Sequence, residues 1–294
     1  MSQDPLPSCS KIDTNPANIK VLISGKNLTR PRVCAVSYLN TVPLVWGLQH
    51  DARLGEVFEL EFALPSVCAA RLEDGSADLG IVPVAEIGRQ GLAYFEETGI
   101  ACEGPVRSIL LISKVPFSKI KKLAVDAGSR TSVRLAQIIL AERYGAEPNL
   151  VRRPADLSSM LNESDAALII GDPALLLDPA SLPFDCLDLG QEWLSLTGLP
   201  MVFALWAGRP ELIEQNNSDL WRAAFRQSCQ FGLDHVGDMV EAEAVPRGFS
   251  RPLATRYFTE HIQYQLTPRH LSGMQEYLRF VTLLDKKFAP TGVS

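Results

Sequence analysis

The chain has 294 residues, of which 46% are hydrophobic and 21% are charged, and its formal net charge is −6. This balance is that of an ordinary globular protein, and the length suits one large domain or two medium ones. The negative charge argues against a general nucleic-acid-binding surface, which is usually basic, but it leaves open a small anionic ligand in a local pocket.

The first thirty residues predict a flexible extension, because they combine several prolines with serine, asparagine and mixed charge. Their longest apolar run, Val21 to Ile23, is far shorter than the ~7–15 residues in the core of a signal peptide. The chain also has no run approaching the ~20 apolar residues of a membrane span. We therefore expect a cytoplasmic protein with no membrane partner, and we assign the extension no role.

From residue 31, short β-like runs alternate with helix-like segments, which is typical of an α/β protein. Val33 to Val36 predicts a buried strand, and a loop leads from it to a helix that begins near Pro43. A new β-α series begins at Leu123, and the chain becomes largely helical from Ser218.

This order predicts two lobes with an insertion. Residues 31–112 and 207–294 would form lobe 1, and residues 113–206 would form lobe 2. A ligand cleft is expected between the lobes, at the C-terminal ends of strands, where α/β sheets usually bind ligands.

The cysteines and histidines do not form a recognisable metal or redox motif. The six cysteines share no C-x-x-C spacing, and none has a histidine at zinc-ligand spacing, so we expect reduced structural thiols. Dinucleotide, P-loop, nucleophile-elbow and zinc-protease signatures are absent. The sequence therefore predicts no metal and no cofactor, and favours cofactor-free chemistry or simple binding.

The loop after the first predicted strand is the first candidate site. Ser37, Tyr38 and Asn40 lie between a buried strand and a helix, so their polar groups should face the cleft. Asparagine offers a ligand both a donor and an acceptor. An ordinary turn with a helix cap explains the same residues equally well.

Arg107 and Ser108 open a strongly apolar strand and form the second candidate. The serine hydroxyl could bind a ligand, and Arg107 could pair with a carboxylate. On residue types alone, a solvated charge at the edge of a strand is slightly favoured.

The run from Asp126 to Ser132 is the third candidate, because small and polar residues stand at a strand-to-helix turn. Ser129, Thr131 and Ser132 would present hydroxyls and free backbone N–H groups to an anion. An ordinary helix cap is about as good an explanation.

Two glycine turns complete the set. Gly171-Asp172 follows a predicted strand, and Gly198-Leu199 precedes another. Glycine permits close approach of a backbone to a ligand, and Asp172 could receive a ligand hydroxyl. The alternative for Asp172 is a turn or helix-capping role.

Together these segments resemble the chorismate dehydratases of the futalosine route to menaquinone. The resemblance covers about residues 31–284 without large gaps. The matching segments are Ser37-Tyr38-Leu39-Asn40, Pro105-Val106-Arg107-Ser108, Asp126 with Thr131-Ser132, Ile170-Gly171-Asp172-x-Ala174, Thr197-Gly198-Leu199-Pro200-x-x-Phe203 and Tyr257-Phe258-Thr259-x-x-Ile262-x-Tyr264.

The resemblance implies a type II periplasmic-binding-protein fold and removal of water from chorismate, giving 3-[(1-carboxyvinyl)oxy]benzoate. It implies that Asn40 and Ser108 are catalytic pocket residues. The remaining motif positions are expected to bind the substrate: Ser37, Tyr38, Arg107, Ser129, Thr131, Ser132, Gly171, Asp172, Gly198 and Leu199. Because the motifs contain no histidine or lysine, we hypothesise that the enolpyruvyl carboxylate of the substrate removes the ring proton.

Three other classes of protein share this scaffold. A solute-binding protein of a transporter would need an export signal, which the sequence does not show. The effector lobe of a transcription regulator would come with a helix-turn-helix and a basic patch. The sister enzyme that makes dihydroxynaphthoate is a closer rival, and the Tyr38-Leu39-Asn40 run favours the dehydratase.

Overall fold

The structure is a computed structural model that describes residues 30–126, 128, 130–214 and 218–288. The predicted N-terminal extension, apart from residue 30, lies outside the described residues, and so does the predicted site residue Ser129.

The first sheet combines parallel and antiparallel strands around a buried centre. Its order, among the residues described, is β11 (Gln263–Gln265), β4 (Ala93–Cys102), β10 (Met201–Gly208), β3 (Leu79–Pro83), β1 (Arg32–Val36) and β2 (Glu59–Ala63). β1 runs parallel to β2 and β3, whereas β10 runs antiparallel to β3 and β4. β11 pairs antiparallel with β4 at the far edge.

The second sheet is also mixed. Its order, within the same described ranges, is β7 (Asn149–Arg152), β6 (Lys122–Val125), β8 (Ala166–Ile170), β5 (Ile109–Ser113) and β9 (Asp185–Asp188). β6 runs parallel to β7 and β8, and β5 runs antiparallel to β8 and β9.

Helices cover the faces of both sheets. In the described chain they are α1 (Val42–His50), α2 (Pro65–Glu73), α3 (Val84–Gln90), α4 (Thr131–Tyr144), α5 (Leu157–Glu163), α6 (Gly171–Leu176), α7 (Leu189–Thr197), α8 (Pro210–Ile213), α9 (Ser218–Asp234), α10 (Val236–Met239), α11 (Arg251–Arg256) and α12 (Pro268–Phe288). Short 3-10 or π turns flank several of them, including Leu39–Thr41 before α1 and Tyr257–His261 after α11.

Composition explains which strands are central. β3, β5, β8 and β10 are buried along their whole length, as expected for near-continuous apolar runs covered on both faces. The edge strand β2 alternates acidic with apolar residues and is largely exposed. The cysteines that the structure describes are free, and all except Cys186 are buried, in agreement with structural thiols.

Sheet membership differs from the lobe limits predicted from sequence. The chain completes β1 to β4 of the first sheet, then forms β5 to β9 of the second, and returns with β10 and β11. β5 lies mostly before residue 113 yet pairs in the second sheet, and β10 begins before residue 207 yet pairs in the first. A fully apolar strand does not reveal in its own sequence which of two sheets it joins. We propose that the lobes divide near residues 103–108 and 189–200 instead.

Candidate active site

A cleft with about 550 Å³ of empty space, part of it open to solvent, forms a cavity between the two sheets. One wall is formed by loops and strands of the first sheet, and the other by the second sheet and the head of α4. The lining residues are Val36, Tyr38, Asn40, Pro65, Pro83, Ile100, Ser108, Ile109, Gly128, Arg130, Thr131, Ser132, Ile170, Gly171, Phe203 and Ala204. Apolar groups therefore alternate with a few polar side chains, as in small-molecule sites generally.

Ser108 stands at the head of β5 and is 1% exposed. Its Oγ accepts a hydrogen bond from the Tyr257 hydroxyl at 2.7 Å, and its carbonyl accepts one from the Gly171 N–H at 2.8 Å. A serine hydroxyl has one hydrogen to donate besides the lone pairs that accept. No described residue accepts that hydrogen, so Ser108 can donate it to a ligand in the cavity.

The segment before Ser108 is held by the nearly buried carboxylate of Asp188. Its oxygens accept from the backbone N–H groups of Val106 at 2.9 Å and Arg107 at 2.6 Å, and from two N–H groups at the head of α7. Burial raises the pKa of the Asp188 carboxyl, and these donors oppose the rise. Arg107 itself has a left-handed backbone, with φ of 68°. Such strained residues persist only where surrounding contacts determine them.

The Arg107 side chain contacts the second lobe. Its Nη2 donates to the carbonyl of Leu177, and the residue does not line the cavity. Its buried Nη1 has no hydrogen-bond partner among the described residues, and pairing of Arg107 with a substrate carboxylate stays a prediction.

Tyr38 and Gly171 meet across the cleft. The aromatic ring of Tyr38 lies so close that a Cβ on Gly171 would come within 3.0 Å of it, and Gly171 has a left-handed φ of 65°. Burial raises the pKa of the Tyr38 hydroxyl, with smaller contributions from Asp126 and Asp172. The ring therefore stays neutral and forms part of the cavity wall.

Asp172 links the two lobes outside the cavity. Its Oδ1 accepts from the Leu39 N–H at 2.8 Å, and its Oδ2 accepts from Arg247 Nη1 at 3.2 Å. The same Nη1 donates to the Ser37 carbonyl at 3.0 Å. Asp172 thus holds the loop that carries Tyr38 and Asn40, and each of its carboxylate oxygens already accepts a hydrogen bond.

The head of α4 forms the opposite wall of the cavity. Thr131 and Ser132 line it. The N-terminal cap residue of this helix is Arg130, and its side chain does not accept a hydrogen bond from the N–H groups of the first turn. Thr131 is also tied to the first lobe, since its Oγ1 accepts from the Ala85 N–H at 3.2 Å and its carbonyl accepts from the Tyr277 hydroxyl at 3.1 Å.

The turn of Gly198 and Leu199 lies elsewhere. Gly198 ends α7 in a left-handed conformation, and the Leu199 N–H donates to Thr197 Oγ1 at 3.1 Å. The next residue, Pro200, accepts from Trp193 Nε1 at 3.2 Å and packs against Gly273 of α12. This turn therefore supports the packing beneath the site, although Phe203 on the following strand does reach the cavity.

The predicted site residues thus fall into two groups. The cavity is lined by Tyr38, Asn40, Ser108, Thr131, Ser132 and Gly171, and not by Ser37, Arg107, Asp172, Gly198 or Leu199. Tyr257 was not predicted as a site residue, although the tail motif that carried the resemblance begins there. Arg130 was not predicted either, although it lies within the third candidate run.

Tyr257 is buried and belongs to the segment that returns to the first lobe. Burial raises the pKa of its hydroxyl well above the ordinary value, while Ser108 and the neighbouring Asn40 amide oppose the rise. The hydroxyl is therefore neutral near pH 7 and acts on Ser108 as a donor.

The residues that the structure describes include neither a cluster of metal ligands nor a membrane-spanning helix. These residues contain no group of three or more histidine, cysteine or acidic side chains placed to hold a metal. Their helices include none that is long and apolar enough to cross a membrane.

Two mixed sheets with a cleft between them define a two-lobed fold of the periplasmic-binding-protein type. A solved protein from Archaeoglobus fulgidus is similar, with a TM-score of 0.70 at 18% identity, over 87% of this chain and 98% of that one. The periplasmic aliphatic sulphonate binding protein of Escherichia coli gives a TM-score of 0.60 at 15% identity, over 90% of this chain and 89% of its own. These likenesses confirm the predicted fold class.

The sequence itself identifies the family. Residues 31–282 match the family model described as menaquinone biosynthesis, and the chain belongs to that family. It is also 29% identical over 284 residues to the chorismate dehydratase of Thermus thermophilus, covering 89% of this chain and 98% of the relative. The family resemblance predicted from the motifs is confirmed.

The contact between Tyr38 and Gly171 leads to a prediction about stability. Gly145 has almost the same left-handed backbone, with φ of 63°, but a Cβ there would meet nothing within 4 Å. We expect Gly145→Ala to cost about 1–2 kcal/mol of unfolding free energy from backbone conformation alone. Gly171→Ala should cost more, because the Tyr38 ring must also move. Denaturant unfolding of both variants measures the difference, and equal losses would contradict the contact.

Proposed function

We propose that this protein removes water from chorismate to give 3-[(1-carboxyvinyl)oxy]benzoate, acting as a carbon–oxygen lyase without a cofactor. The observation that carries the proposal is the likeness to the chorismate dehydratase of Thermus thermophilus, which extends over 89% of this chain and 98% of the relative. A likeness of this extent includes both sheets and the segments that line the cavity.

The reaction breaks two bonds of the substrate and requires few functional groups from the protein. The C–H bond at the ether-bearing ring carbon breaks, and its electron pair becomes a ring double bond. The C–O bond at the neighbouring carbon breaks, and the hydroxyl leaves as water once it has gained a proton. Because the product ring is aromatic, the overall reaction is strongly downhill. The protein must hold the substrate, assist proton removal and assist departure of the hydroxyl.

The cavity supports removal of the proton by the substrate itself. Among the described lining residues there is no carboxylate, imidazole or amine side chain. Tyr257 stays protonated because of its raised pKa, so it is not a base near neutral pH. The enolpyruvyl carboxylate is attached through the ether oxygen to the carbon that loses its proton, which gives it a short path to that proton.

Ser108 and Tyr257 would assist the departure of the hydroxyl group. The Tyr257 hydroxyl donates to Ser108 Oγ, and this leaves the Ser108 hydrogen for the departing hydroxyl. Two hydrogen bonds in series polarise each other and stabilise negative charge that develops on the leaving oxygen. The proton taken from carbon completes the water molecule. Asn40 lines the same cavity and would hold the substrate through its amide.

A cytoplasmic location and the absence of nucleic-acid or membrane partners stay predictions from the sequence. The solute-binding proteins among the similar structures support the fold alone, since their identity to this chain is low.

The proposal predicts that the purified protein converts chorismate. Ultraviolet absorbance should report a new aromatic ring, and mass spectrometry should find a product lighter by one water. A chelator such as EDTA should leave the rate unchanged, because no metal takes part. Unchanged chorismate, or a product that has lost pyruvate instead of water, would contradict the proposal.

A second prediction concerns the Tyr257 hydroxyl. Tyr257→Phe removes the donor to Ser108 and should lower kcat by roughly 10- to 100-fold, because the Ser108 hydroxyl loses its fixed orientation. Thermal unfolding shows whether the variant still folds.

Tyr264→Phe is a matched control for this change. Tyr264 is also buried, but its hydroxyl has no hydrogen-bond partner among the described residues. Its loss should leave kcat within a few fold of wild type. Equal effects of the two substitutions would mean that the bond to Ser108 has no part in turnover.

The third prediction separates a substrate base from a protein base. Asn40→Ala should lower kcat by about 10²–10³, the usual cost of losing one donor to developing charge. Asp126 is a carboxylate in the groove beside the cavity, and Asp126→Asn should keep kcat within about 10-fold. Steady-state kinetics measures both. An inactive, folded Asp126→Asn variant would identify Asp126 as the base and remove the substrate-assisted step.

A further inference from the structure

Among the described residues that line the cavity, one side chain is charged, and it is that of Arg130. It stands at the head of α4, and it also lines a wider groove on the outside of the cleft. Arg130 therefore forms the boundary between the cavity and this groove, and its side chain is 42% exposed.

The guanidinium is held from one side by a buried acid. Glu86 of α3 is 1% exposed, and its Oε1 accepts from Arg130 Nη1 at 2.6 Å. The other oxygen of Glu86 accepts from Arg89 Nε and Gln90 Nε2, both at 2.9 Å. Glu86 is thus fixed by its own helix, and it fixes Arg130 of the opposite lobe.

The remaining donors of Arg130 are free in the described structure. Among the described residues, Nη1 has a hydrogen-bond acceptor in Glu86, whereas none is found there for Nε or Nη2. These two groups lie on one edge of the guanidinium, which is the edge that binds a carboxylate with two parallel hydrogen bonds.

The substrate carries groups that these donors can bind. It carries two carboxylates, and a carboxylate that leaves water without a cation or several donors is strongly disfavoured. The other polar groups that line the cavity are neutral hydroxyls, an amide and backbone N–H groups. One carboxylate can therefore be satisfied by the head of α4, and the second needs a charged partner.

We propose that Arg130 binds one carboxylate of the substrate through its Nε and Nη2 groups. This inference rests on the proposed function for the identity of the dicarboxylate.

The test is binding of 3-[(1-carboxyvinyl)oxy]benzoate, measured by calorimetry so that no turnover is needed. Arg130→Met should weaken binding by roughly 10- to 100-fold, as expected for loss of charge-assisted hydrogen bonds. Arg130→Lys keeps the charge without the two-pronged geometry and should weaken binding by about 10-fold. If Arg130→Met does not fold, product binding by Arg130→Lys still tests the role of Arg130.

Arg134→Met is the matched control, because Arg134 lies one turn further along α4. It lines the outer groove but not the cavity, and its Nη2 pairs with Asp285 Oδ1 at 2.7 Å. This variant should bind the product as wild type does.

A second readout is the kinetic constants with chorismate. Arg130→Met should raise KM by a factor similar to its loss of product affinity, with a much smaller change in kcat, because the bond is made in ground state and transition state alike.

The outcomes separate the two proposals. Product binding that is unchanged in folded Arg130→Met, with chorismate still converted by wild type, would overturn the role of Arg130 and leave the proposed function intact. Wild type that binds the dicarboxylate through Arg130 but does not convert chorismate would leave Arg130 as a binding residue and overturn the proposed function. Wild type that binds no dicarboxylate would overturn both.

Discussion

The arrangement of the site depends on the fixed position of Ser108 between the two lobes. Its Oγ accepts from Tyr257, its carbonyl accepts from Gly171, and the two residues before it are bonded to the carboxylate of Asp188. These partners come from the returning C-terminal segment, the turn after β8 and the end of β9. A serine hydroxyl alone is a weak functional group. The contacts with these three partners fix the direction in which the Ser108 hydroxyl can donate. A reaction without a protein base requires such a fixed donor.

Contacts across the cleft define the cavity as much as the lining residues do. Asp172 of the second lobe holds the loop of the first lobe through the Leu39 N–H and Arg247. On the opposite side, Thr131 accepts from Ala85, and Arg130 pairs with Glu86. The lobes are therefore bonded at both margins of the cavity. This arrangement fixes the two walls of the cavity relative to each other.

Much of the fold and part of the site could be predicted from local sequence. Apolar runs bounded by turns identified the strands, and polar residues after them identified the loops that contain Tyr38, Asn40 and Ser108. The direction of a side chain was not predictable in this way. Arg107 has a left-handed backbone and donates to the Leu177 carbonyl. Asp172 accepts from Leu39 and Arg247, which are distant in sequence. Tyr257 was missed for the same reason, since its partner lies 149 residues earlier in the chain.

We propose that the substrate reacts in the cavity between Ser108 and Asn40. A crystal structure of the protein with bound 3-[(1-carboxyvinyl)oxy]benzoate tests this proposal most directly. The product is expected to lie in this cavity, with the ring carbon that lost the hydroxyl next to Ser108 Oγ. Its enolpyruvyl carboxylate should lie on the side of the ring carbon that bears the ether. Product bound elsewhere, or an acidic side chain within hydrogen-bonding reach of the ether-bearing carbon, would contradict this proposal.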